Sequence, residues 1–255
     1  ATPGGGLVLM VNHGRGGGTA RHEAEVAGQL RAQQGWGVVA LRPSRRRGCV
    51  ALAALGHDGA SAVLDLPSLQ AIPLHDPANE RAPGVVLKEL LGLLGLREVQ
   101  LHHLADHSPG LRELLPGLCK ALGVPLSITL HDYHFICPRI NLVDASGRYC
   151  GEPERDTCNR CLQREDIGRI DARIGPWRAV HGQLLAQAER VVVPDLDVAS
   201  RLTHYFPSVR VQVQPHEALV VPAQRPARAP ALREVLVIGA LSVAKGFGVL
   251  RGLAA

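Results

Sequence analysis

Short uninterrupted apolar runs alternate along the chain with longer stretches of helix-spaced polarity, and this rhythm predicts a doubly wound α/β sheet. Residues 7–11 carry no polar position, as a central parallel strand covered on both faces requires. A glycine-rich turn and a helix over 19–34 follow, then a strand at 38–41. Residues 48–66 predict two more short strands broken at the turn-like Gly56-His57-Asp58-Gly59. The most apolar helical segment, 85–96, predicts a core-facing helix, and a membrane-surface helix is the other reading. A strand at 99–102 precedes Ser108-Pro109, which reads as an N-cap followed by proline at the first helical position. Strands at 126–130, 190–193 and 209–213 and helices at 176–188 and from Asp195 complete the pattern.

Two segments break the rhythm. Residues 133–168 lack periodicity and hold Cys137, Cys150, Cys158 and Cys161, so they read as an irregular cysteine-rich insertion in a domain covering 1–220. Residues 221–230 are proline-rich and read as a linker. Beyond it, 231–255 predict a strand at 234–238, a turn at 239–246 and the start of a helix, the first strand-loop-helix of a second Rossmann-like domain. With no initial methionine and an end inside a helical pattern, the chain reads as a fragment, truncated in that second domain and inactive on its own.

Composition narrows the function classes. Aromatics are 3% of 255 residues against 46% hydrophobic residues overall, so the core must be aliphatic. The net charge of +5 rests on arginine, the lysines being Lys88, Lys120 and Lys245. That excess suits anionic substrates or peripheral contact with an anionic membrane surface. Nucleic acid is not an expected partner, because no basic run is interleaved with stacking aromatics. Arg45, Arg46 and Arg47 read as a solvated loop. No apolar run reaches the ~18 residues of a membrane span and no signal peptide opens the chain. The expected location is cytoplasmic, peripherally on the inner membrane face if the basic surface is used.

Four places carry candidate chemistry. Gly16, Gly17 and Gly18 open the first helix, where glycines permit close backbone approach and the helix terminus favours negative charge; a plain tight turn is the alternative. His131 and Asp132 end a strand, on the side where parallel sheets bind ligands, and a buried structural histidine is the alternative. The tandem His102-His103 ends the preceding strand in the same way. Cys158-Asn159-Arg160-Cys161 is a CxxC pair whose tight turn can present two thiolates to a metal, and with Cys137 and Cys150 it suits a structural zinc. Partial ligation with His134, or unmetallated thiols, are the alternatives. Cys49 and Cys119 read as core residues. Lys245 lies in a strand-end loop ahead of a helix, where charge and amides together can hold a diphosphate.

Taken in order, these segments resemble the family 4 retaining glycosyltransferases of the GT-B fold. GGGTARH at 16–22 resembles the family's first-loop glycine motif. ITLHDYHFICPRINLVD at 128–144, with GRYC and CNRCL after it, resembles a cysteine-bearing subgroup. VVVPDLDVASRL at 191–202 resembles the close of the first domain, and VLVIGALSVAKG at 235–246 resembles the opening of the donor domain. The resemblance implies transfer of a sugar from a nucleotide-diphosphate donor to a glycan or lipid-linked acceptor with retention of configuration. By position, Gly17 and Gly18 would face the donor phosphates, His131 the donor sugar near the reacting carbon, and Lys245 the leaving diphosphate. His103, Arg21 and Asp132 are further candidate sugar or acceptor contacts. No catalytic metal is expected, so any zinc would be structural. Ala240 stands where the family usually has arginine, and Ala20 where it often has an acidic residue. Ala240 and the truncated end suit a second reading, a non-catalytic GT-B-like binding module with a zinc loop, and a GT-B-like epimerase is a third.

Overall fold

The computed structural model describes residues 5–56, 59–67, 82–216 and 241–253. The expected linker at 221–230 and strand at 234–238 lie outside the described residues, as do His57 and Asp58 of the expected turn.

The described strands form a mixed, mostly parallel sheet of eight. They are β1 (Leu7–Val11), β2 (Gly37–Pro43), β3 (Cys49–Gly56), β4 (Gly59–Pro67), β5 (Leu96–Leu101), β6 (Leu126–Thr129), β7 (Arg190–Val193) and β8 (Val211–Val213), in the spatial order β4-β3-β2-β1-β5-β6-β7-β8. The helices are α1 (Gly17–Gln34), α2 (Pro83–Leu93), α3 (Leu111–Leu122), α4 (Arg155–Leu162), α5 (Ile174–Ala186), α6 (Leu196–Tyr205) and α7 (Phe247–Leu253). The chain leaves β1 toward β2 and later returns to β5 on the other flank of β1. Parallel crossovers are right-handed, so this reversal implies that α1 and α3 cover opposite faces of the sheet.

β1 is buried at every residue. Val8 and Met10 pack with Val38 and with Ala27 of α1, and Leu30 and Trp36 close the edge of that cluster. α1 ends where Gly35 turns left-handed at φ 65°, its amide donating to the Arg31 carbonyl. α6 begins as expected, with the Asp195 carboxylate accepting the Val198 amide. α2 buries Val85, Leu87 and Leu91, the core-facing reading, while Leu93 at its end is exposed. No described helix is long and apolar enough to cross a membrane.

Three expectations need correction. The sheet is not wholly parallel: β3 runs antiparallel to β2 and β4 antiparallel to β3. The gap between β3 and β4 is far too short for the crossover that parallel neighbours need, so only a hairpin could form there. Ser108 and Pro109 do not cap α3. Their carbonyls accept from Leu111 and Arg112 in a preceding turn, and the helix begins at Leu111. The stretch 133–168 is not wholly irregular either, since it contains α4, which buries only Leu162 and is too short to declare a period. The CxxC pair therefore sits on a helical turn.

The chain divides into two compact units, Ala1–Asp132 with Arg178–Gln214, and Tyr133–Trp177 with Pro215–Ala255. All eight strands belong to the first.

Candidate functional site

Where a parallel sheet reverses its direction of travel, the loops leaving adjacent strands diverge and open a crevice at the carboxyl edge. Here that point lies between β1 and β5. His102 and His103 both donate their amides to the Val11 carbonyl, at 2.8 and 3.3 Å, which stitches the two strand ends together. Asn12, wholly buried, follows β1, and His131 follows β6 by two residues.

Two sets of rings meet at this edge. In the first, His103 is almost fully buried, and its Nδ1 accepts the Ala105 amide at 2.8 Å. The ring proton therefore sits on Nε2, which donates to Asp132 Oδ2 at 2.9 Å. The His13 ring lies 4.8 Å from that of His103. Burial, and then the neighbouring His103, lower the pKa of His13.

In the second set, His102 Nδ1 lies 3.1 Å from His131 Nε2. His22, one turn beyond Gly18 on α1, brings its ring to 5.1 Å from that of His131 and 5.8 Å from that of His102. The donor atoms of His22, His102 and His131 all lie within 4.8 Å of one another, so the trio could hold a metal ion.

The loop after β1 is held from beneath. Asn12 Nδ2 donates to Glu23 Oε2, and Arg42 donates to the same carboxylate, which is fully buried. Burial raises the Glu23 pKa, opposed by Arg42 and Asn12. His107 Nε2 donates to the Asn12 carbonyl at 2.9 Å, and Arg15 grips Asp106 through two bonds of 2.6 Å. Asp106 adopts φ 66°, and the Arg15 guanidinium lowers its pKa.

Gly16, Gly17 and Gly18 are exposed at the start of α1, with φ of 75° and 78° at the first two. A Cβ placed on any of them would meet nothing within 4 Å, so the space in front of the helix terminus is open. Arg21 points out from α1 and pairs with Glu25.

The other predicted residues belong to the second unit. Lys245 is exposed in a single turn, Val243–Lys245, closed by Gly246 at φ 78° just ahead of α7. Cys137, Cys150, Cys158 and Cys161 are all half-buried. Glu152 donates its amide to Cys150 Sγ at 3.4 Å, and the Cys158 thiol donates to the Pro153 carbonyl at 3.4 Å. Among the described residues, the grouping of three or more metal-ligating atoms within 4.8 Å is the histidine trio, and the cysteines are not gathered that closely. Cys119 is a core residue as expected, its thiol pushed up to about 12 by burial. Cys49 is half-buried at the start of β3.

The geometry thus unites His131, Asp132 and His103 and adds His22, His102 and His13 to them. His22 had a signal in the sequence, four residues after Gly18 and hence on the same helix face. The closeness of His13 to His103 depends on pairing β1 with β5, which no local pattern announces.

No protein-family model matches this chain, and no curated protein matches it.

Proposed function

We propose that the chain forms the acceptor-side domain and the start of the donor domain of a retaining GT-B-type glycosyltransferase. The observation that carries this reading is the convergence of the open Gly16–Gly18 terminus with His131, Asp132 and His103 at the switch point of a mostly parallel sheet. Such a crevice accepts a nucleotide sugar: amides and the helix dipole take the phosphates, and imidazole and carboxylate take sugar hydroxyls. His131 faces the donor sugar near the reacting carbon. Lys245 neutralises the leaving diphosphate as positive charge develops on the sugar.

A structural zinc on Cys137, Cys150, Cys158 and Cys161 belongs to the same reading. Its support is local. Two of the thiols share one turn of α4, and the Cys150 sulfur already accepts an amide, as a thiolate does. Binding would draw the four sulfurs inward to about 2.3 Å from one ion. In the same unit Arg160, Arg169 and Arg173 line one open pocket with Asp171, a surface suited to an anionic lipid or lipid-linked acceptor.

The test is a panel of nucleotide-diphosphate sugars presented to the full-length protein, read by thermal shift and by donor turnover. One donor should raise the melting temperature and be consumed when an acceptor is supplied. If no donor binds, the transferase reading fails and the non-catalytic binding module replaces it.

A further inference from the structure

We propose that His22, His102 and His131 form a site for one divalent transition-metal ion, with zinc the best-matched ion. Three separate elements deliver the three imidazoles: α1, the loop after β5 and the loop after β6. His102 Nδ1 and His131 Nε2 stand 3.1 Å apart. Two nitrogens bound to one tetrahedral zinc at about 2.0–2.1 Å are separated by about 3.3 Å, so this hydrogen-bonded pair stands near the spacing of two ligands, and the proton between them moves to the other nitrogen of its ring when the ion binds.

Both are fixed through the backbone: the His102 amide donates to the Val11 carbonyl, and Leu130, just before His131, donates to Val192. His22 is half-buried on a helix surface, with a ring nitrogen within 4.8 Å of the ligand atoms of the other two. The trio contains no carboxylate. An all-imidazole set favours zinc, copper, nickel or cobalt over magnesium or calcium, which take oxygen ligands. Three protein ligands leave the fourth position to water or another small ligand. Asp132, beside His131 and held by His103, adds negative charge at the edge of the site.

The site stands on its own geometry, but it has a consequence under the proposed function. His131 cannot give its lone pair to an ion and contact a donor sugar at once. A bound ion therefore excludes the donor, and such metals inhibit transfer.

The experiment is titration of chelator-treated full-length protein with cobalt(II) as a spectroscopic stand-in, and with zinc by calorimetry. Cys158→Ser protein, in which the cysteine set is broken, should bind one equivalent and give the visible bands of tetrahedral cobalt on nitrogen. His22→Ala, checked by circular dichroism to be folded, should weaken that binding by about 100-fold or more, because losing a ligand costs at least what losing an outer-shell partner does. In wild type any cobalt on the cysteines adds sulfur-to-metal charge transfer, which Cys158→Ser should remove while the nitrogen band stays. Identical cobalt binding by wild type and His22→Ala overturns the site, as does a spectrum carried wholly by sulfur-to-metal charge transfer. If the His22-dependent ion binds while no nucleotide sugar does, the transferase reading falls and the metal site stands. If a sugar binds and the ion does not, the reverse holds.

Discussion

Asp132 receives its hydrogen bond from His103 in one sense only, because the other nitrogen of that ring is occupied by the Ala105 amide. Two residues that each follow a strand are thereby locked across the carboxyl edge, and the buried N–H of His103 depends on the carboxylate. Asp132→Ala should leave that donor unsatisfied and lower stability by about 1–3 kcal/mol. Asp132→Asn, which keeps an acceptor, should recover most of the loss. Urea unfolding of the two variants measures the difference, and equal midpoints would remove the lock.

His131 and Lys245 are the residues on which transfer should depend. Under the proposed function, Lys245→Ala and His131→Ala are each expected to lower turnover by ~10²-fold or more, the size of a contact made mainly in the transition state. Lys245 is exposed, so its loss should barely move the melting temperature. Wild-type turnover in both variants removes the catalytic assignment.

The glycine loop separates strain from ligand space. Gly17 holds φ 78°, so Gly17→Ala should cost roughly 1–2 kcal/mol with or without a donor. Gly18 has an ordinary backbone and nothing within 4 Å. Gly18→Val should fold with an unchanged midpoint yet bind the donor much more weakly, its side chain filling the approach to the phosphates. Paired denaturation and calorimetry check this, and unchanged donor affinity contradicts it.

Acid should loosen the loop after β1. Burial lowers the pKa of His107, with His103 and His13 acting in the same direction and Asp106 and the Asn12 carbonyl opposing. The folded state therefore binds fewer protons than the unfolded chain below pH ~6.5. Stability from this group is fully present above that value and falls as pH drops toward the folded pKa. His107→Gln should flatten the slope of unfolding free energy against pH in that window. An unchanged slope means other groups carry it.

The cysteine loop answers to elemental analysis. About one zinc per chain on sulfur, with Zn–S near 2.3 Å, is expected in addition to any ion on the histidine trio, and Cys158→Ser should release it and expose the loop to protease. Folded, metal-free protein with four reduced thiols rules it out.

Much of the sheet was legible because buried strand segments declare themselves as unbroken apolar runs, as Leu7–Val11 and Val191–Val193 do. Asp195 was legible as a helix start for a local reason, its side chain reaching an amide three residues on. What escaped was decided by pairing between distant segments. The hairpin of β3 with β4 was hidden by reading each run singly, although their separation forbids a parallel crossover. α4 escaped because it buries one leucine and has no room for a period. At the site, His131 and His103 could be found from strand ends. The join of His22 to His102 and His131 requires a helix face to be laid over two strand ends, which is a fact of packing.

The β3–β4 hairpin also sets how far the chain must reach afterwards. β4 runs in the same direction as β2, so the backbone finishes Pro67 at the edge where it finished Pro43, displaced sideways by two strand spacings. From there to β5 it must pass four spacings, about 19 Å at 4.7–4.9 Å each, where a chain leaving directly from β2 would pass two. Excising the hairpin would leave the direction and hand of the return unchanged while halving its span. The return to β5 is thus lengthened by an out-and-back excursion that lies at the sheet margin, with β2 between it and the β1–β5 switch point.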